Sequence, residues 1–229
     1  MQFARRASAL EPASDLWAEI RAGKFEIAVQ RLQSHVAEWP LDRDARSDLA
    51  IMQFAAGEFG RSEENFARII KLQRGFASRG NRLLDMEYLE AWYRLAQLRA
   101  GHTPDTPPPM SPNSLLAVLA GTVEPEAFAT SWADAVLDFN KGLEAALGNT
   151  PQTTQVDGMT VTMTTKVAHP ARESLEREYL CLSSFMVGEQ AVGQGDLSTA
   201  REQLVESVAT KSEQLVEYHI AKAELARLG

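Results

Sequence analysis

Apolar residues recur at three- and four-residue steps along most of the chain, the spacing that gathers them on one face of an α-helix. The run 81–100, NRLLDMEYLEAWYRLAQLRA, carries Leu84, Tyr88, Ala91, Trp92, Leu95 and Leu98 in this rhythm and predicts an amphipathic helix ending at Gly101. SLLAVLAG predicts a short apolar helix, and EPEAFATSWADAVLDFNKGLEAALG a longer one with Pro125 near its first turn and a closing Gly148. Pro170 opens another in HPARESLEREYLCLSSFMVGEQAVG. The final stretch, EQLVEYHIAKAELARLG, reads over residues 213–228 as a capping helix with one solvated face at Lys222. One segment breaks the helical period: from Met159 to Val167, Met and Val alternate with Thr behind an Asp157-Gly158 dipeptide that favours a two-residue turn. Residues 153–167 therefore predict one small β-hairpin, lying on the helices as a tolerated insertion or offering an edge to a partner strand.

A spacing of 34 residues links two parts of the helical pattern. RAGKFEIAVQRL and AAGEFGRSEENF place Gly57 34 positions after Gly23, with Phe25 on Phe59, Ala28 on Ser62 and Leu32 on Phe66. A third copy, GQGDLSTAREQL, offers Gly195, Leu197, Ala200 and Leu204 in the same places. The pattern describes a helix, a turn that needs glycine, and a second helix whose small residue admits a close neighbour beside a large one. Five prolines between residues 104 and 112 cannot continue a helix, which divides the chain into N-terminal repeats at 1–101, a proline-rich linker at 102–112, and a C-terminal helical region at 113–229.

Helical hairpins of this period resemble the tetratricopeptide repeat family, over roughly residues 14 to 73 and 176 to 210. Pro40 sits where that family ends a second helix, Leu49 and Ala50 occupy its large and small positions, and Val187 and Gly188 do so in the last copy. The resemblance implies an all-α fold, an α-solenoid of stacked hairpins with one β-hairpin insertion, whose first helices line a concave groove. The C-terminal part, with Val216, Glu217, Tyr218, His219, Leu228 and Gly229, is similar to bacterial repeat adaptors of the NlpI kind. The N-terminal hundred residues and the TPQTTQVDG segment resemble in part the ImpE/TagJ accessory proteins of type VI secretion, without their distinctive C-terminal β region.

Composition narrows the function classes. The chain of 229 residues is 45% hydrophobic with a formal net charge of −8 and a pI near 5.1, which disfavours general attraction to nucleic acid or anionic membranes. No window of about 18 apolar residues predicts membrane insertion. The single Cys181, within YLCLSSFM, reads as a packed helix position, which removes any internal disulfide. The expected location is the cytoplasm as the sequence stands, or the periplasm if an export signal has been removed.

Enzyme signatures are missing at the spacings chemistry requires: there is no His-Glu-x-x-His, no paired-cysteine site, no phosphate-binding glycine loop and no Gly-x-Ser-x-Gly. No catalytic residue, metal ligand or cofactor is therefore assigned. His35, His102, His169 and His219 fall on a helix end, two loops and the last helix. Glu173, Glu176 and Glu178 suit the positive start of a helix better than acid–base chemistry. Lys71, Arg74, Arg79 and Arg82 form a small basic patch, read as a solvated turn or an acidic-peptide site.

The repeat frame directs Ile51 and Phe54 from the second copy, and Phe185, Glu189 and Val192 from the last, toward the groove, where they suit an amphipathic helix or an extended apolar peptide of another protein. Phe54 and Phe185 read equally well as core. Chaperone-binding members of the family clamp a terminal carboxylate with asparagine and lysines, but here Ile51 and Glu189 stand instead, which argues against carboxylate capture. The expected function is a non-catalytic adaptor or scaffold, ahead of an accessory subunit of a bacterial secretion system, with a small-molecule enzyme last; a homo-oligomer is left open.

Overall fold

The computed structural model describes residues 14–74, 83–104, 114–147, 152–156, 159–163 and 170–229. Most of the proline-rich stretch, the Asp157-Gly158 dipeptide, Val167, His169, Arg79 and Arg82 lie outside the described residues. The fold is all-α. Four helices open it: α1 (Ser14–Arg21), α2 (Phe25–Glu38), α3 (Arg43–Ala55) and α4 (Phe59–Arg74). α5 (Leu83–Arg99), α6 (Leu115–Leu119) and α7 (Pro125–Leu147) follow. Two short strands, β1 (Gln152–Val156) and β2 (Met159–Met163), pair antiparallel with Val156 opposite Met159 and Gln152 opposite Met163. α8 (Arg172–Gln194), α9 (Leu197–Ala209) and α10 (Val216–Leu228) complete the chain. No helix among the described residues is long and apolar enough to cross a membrane.

The repeated glycines end helices. At Gly57, φ is +82°, a left-handed conformation that costs a residue with a Cβ about 1–2 kcal/mol. Its N–H donates to the Phe54 carbonyl at 2.9 Å and the Glu58 N–H to the Gln53 carbonyl at 2.8 Å, closing the open end of α3. Gly23 and Gly195 end α1 and α8 with the same pair of bonds. Just past Gly195, Asp196 starts α9 by accepting the Thr199 N–H on Oδ1 at 3.2 Å, and at the start of α6 Ser114 Oγ accepts the Ala117 N–H at 3.1 Å.

Small residues then set the helix approach. Ala28, Ser62 and Ala200 are fully buried, and so are their large companions Leu32, Phe66 and Leu204. Ser62 shows why a hydroxyl is tolerated there, since its Oγ donates to the Ala50 carbonyl at 2.8 Å. Gly188 of α8 faces Leu204 of α9 so closely that a Cβ would lie 2.8 Å from Leu204 Cγ. The other member of the third copy departs from the pattern: Leu197 is 50% exposed, whereas Phe25 is buried.

Each helix from α1 to α5 packs on its successor, and α5 also lies against α3, α6 and α8. This central position overrides the amphipathic reading of α5. Glu87 and Glu90 are buried along with Met86, Tyr88, Leu89 and Trp92, because neighbours surround the helix on several sides. Trp92 is the hub: its ring lies 5.2 Å from Phe54 of α3, 6.2 Å from Phe66 of α4 and 5.2 Å from Phe185 of α8. Residues on both sides of the proline-rich stretch share this one apolar core. α10 does more than cover the end of the stack. It packs on α8 and α9 and also reaches α1, so Tyr218, His219, Ile220 and Ala221 are all buried and the solvated face narrows to Lys222, Ala226 and Arg227.

Candidate functional site

The five residues that the repeat frame directs to a groove separate into four environments. Phe54 and Phe185 are 2% and 0% exposed and pack on Trp92, so they offer no surface to a guest and belong to the core. Glu189 is likewise fully buried, inside an ion network. Val192 is half-buried against the core, one turn before the glycine that ends α8. Ile51, itself buried, lines a cavity.

That cavity is a solvent-open cleft at the junction of α1, α2, α3, α5 and the start of α10. Ile20, Leu32, Ile51, Met52 and Leu215 are its buried apolar members, while Leu16, Trp17 and Val216 are half-buried and reach solvent. Asp44 and Asp48, one turn apart on α3, line it beside Ser47. Gln214, just before α10, adds a further polar group, and between α5 and α10 Tyr88 donates its hydroxyl proton to Glu217 Oε1 at 2.7 Å. Burial raises the Glu217 carboxyl above the usual carboxylate range, against the Tyr88 hydroxyl and its own backbone N–H, which favour the anion. Next to Tyr88, burial and the neighbouring Glu90 push Glu87 up to about 7.

A second polar assembly fixes α10 in place. Arg99 Nη1 lies 2.6 Å from Glu189 Oε2 and its Nη2 2.5 Å from Glu224 Oε1. Arg227 holds Glu224 from the other side at 2.7 Å and donates to the Ala55 carbonyl at 2.9 Å. The Arg99 guanidinium also sits over the Phe59 ring, 4.6 Å from its centre. Burial raises the Glu189 carboxyl, the Glu224 charge adds to the effect, and Arg99 and Arg227 oppose it. The network has both glutamates buried and Arg227 reaching solvent, and it joins four helices, which marks it as a structural fastener. Above it, Trp17 of α1 meets His219 of α10 edge to face at 6.2 Å.

The other polar groups singled out in the sequence have local partners. His35 meets Asp42 at 3.0 Å, His102 meets Glu63 at 2.9 Å, and His219 donates from Nε2 to the Glu213 carbonyl at 2.8 Å. Glu176 pairs with Arg172 at 2.9 Å, and Glu178 accepts from Gln214 at 3.0 Å. Cys181 is buried beside Ser207, and burial pushes its thiol up to about 11, away from the reactive thiolate. No group of three His, Cys, Asp or Glu among the described residues is arranged to hold a metal ion.

Sequence reasoning passed over the walls of the cleft. Leu16, Trp17, Asp44 and Asp48 drew no assignment there. One signal was available: Glu217 stands alone in the otherwise apolar stretch LVEYHIA, and a carboxylate there needs a partner. No protein-family model matches the chain, and neither a curated protein nor a solved structure matches it.

Proposed function

We propose that the chain is a solenoid of tetratricopeptide-like hairpins that works without catalysis, as an adaptor holding a peptide or helix of another protein. The glycine-ended hairpins with small residues at their contacts support the fold reading. The observation that carries the function is the cleft beside Ile51, whose apolar lining reaches solvent at Leu16, Trp17 and Val216. This moves the proposed contact away from Phe54 and Phe185 and toward the α1–α3–α10 junction.

The test is recovery of partners by the immobilised protein, read by mass spectrometry, for wild type against Leu16→Glu/Val216→Glu. The expected result is a specific partner lost in the double variant at unchanged circular dichroism. Equal recovery by both proteins sinks the cleft as the docking site. Recovery of sheath or motor components selects the secretion-accessory form of the same reading, and a retained small molecule with turnover selects an enzyme.

A further inference from the structure

We infer that a second pocket, between α5, α6, α7 and α8, binds a primary ammonium group on an alkyl stem, with Glu87 as its counterion. Glu87 lines this pocket together with the rings of Phe128, Trp132 and Tyr179, and among the described residues no lysine, arginine or histidine does. Glu87 is only 5% exposed, yet among the described residues it makes no hydrogen bond or ion pair. Buried carboxyl groups of folded chains are nearly always paired, so one that lines a pocket without a counterion points to a cation from outside the chain. Burial first, and then the like charge of Glu90, push Glu87 up to about 7, the response of a carboxyl with no positive neighbour. The buried phenol of Tyr179 likewise has no hydrogen-bond partner among the described residues, and its oxygen can accept an N–H.

The walls suit the same group. The Phe128 and Tyr179 rings stand at 88° with centres 6.2 Å apart, and Trp132 lies 5.8 Å from the first and 5.9 Å from the second, so the three form a corner rather than a stack. Aromatic rings attract a cation within about 6 Å, and their carbon surface covers a methylene stem. The room between the side chains is about that of one water molecule. An ammonium nitrogen has that size, whereas a trimethylammonium head does not. Trp132 is half-buried while the other lining residues are buried, which places the entrance at its ring. This pocket adjoins the cleft at Tyr88, whose hydroxyl is taken by Glu217.

The experiment titrates the full chain at about pH 8, above the Glu87 value, with n-butylammonium, n-butyltrimethylammonium and n-butanol, followed by saturation-transfer NMR of each ligand. n-Butylammonium is expected to bind at least tenfold more tightly than the bulkier cation or the uncharged alcohol, and to raise the Tm of wild type at constant ionic strength. In Glu87→Gln, which keeps the shape of the side chain without its charge, binding is expected to weaken at least tenfold and the Tm rise to vanish. Nα-Acetyl-lysinamide carries the same ammonium and stem. Tighter binding than n-butylammonium assigns the pocket to a lysine of a partner protein, equal or weaker binding assigns it to a free amine, and both keep the ammonium site. Equal affinity of n-butylammonium for wild type and Glu87→Gln removes the counterion and overturns the proposal. Equal or tighter binding of n-butanol makes the pocket merely apolar and overturns it, as does equal or tighter binding of n-butyltrimethylammonium, which contradicts the size. Failure of n-butylammonium to saturate wild type below about 10 mM overturns it as well.

Discussion

Arg99 and Glu189, 90 residues apart in sequence, meet at 2.6 Å in a site where the glutamate has no exposure to solvent. The pair couples the end of α5 to the middle of α8, and through Glu224 it extends to α10. A buried pair of this kind adds little against a well-packed apolar replacement, but losing one partner strands a charge.

Arg99→Ala is therefore expected to lower the unfolding free energy by about 3–5 kcal/mol, read by urea denaturation. Arg99→Met/Glu189→Leu should recover a large part of that loss, because Glu224 keeps Arg227 at 2.7 Å. A single variant within about 1 kcal/mol of wild type would show that water reaches the network.

Glu87 gives the stability curve a definite slope. Its carboxyl sits near 7 in the folded chain, above its unfolded value, so the native state holds a proton there that the unfolded state has released. The contribution is fully present below about pH 4.5 and is lost as pH rises through about 7. Glu87→Gln should flatten that interval and raise stability at pH 8 by on the order of 1–2 kcal/mol, measured by thermal melts across the range.

Gly188 and Gly142 should respond in opposite directions to alanine. At Gly188 the new Cβ would lie 2.8 Å from Leu204 Cγ, with the Leu204 backbone N at 3.3 Å, so the two helices have to part. A loss of about 1–3 kcal/mol is expected, and combining it with Leu204→Ala should cost less than the sum of the two single changes. Gly142 lies on the exposed surface of α7 with nothing within 4 Å of a Cβ, and alanine there should gain about 0.5–1 kcal/mol. Chemical denaturation of the four variants against wild type decides both points.

What the sequence made readable was local. Gly23, Gly57 and Gly195 end helices because a left-handed turn is a property of a few adjacent residues, and Ala28, Ser62 and Ala200 sit at contacts because small size is visible without knowing the neighbour. Phe54 and Phe185 were ambiguous for the converse reason. Helical spacing says that each faces something apolar, but only the crossing of α3, α5 and α8 shows that both face Trp92. The cleft was harder still, since its walls come from positions near 17, 48, 88 and 216, and no periodicity connects residues so far apart.

The bond from Tyr88 to Glu217 spans 129 residues, and that interval has a biological duration. At a translation rate of about 5–20 residues per second, the phenol emerges from the ribosome on the order of ten seconds before its acceptor is made. During that wait the early hairpins present an oily slot whose fourth side has yet to be synthesised, so a nascent chain of this protein is a natural client for a holding chaperone.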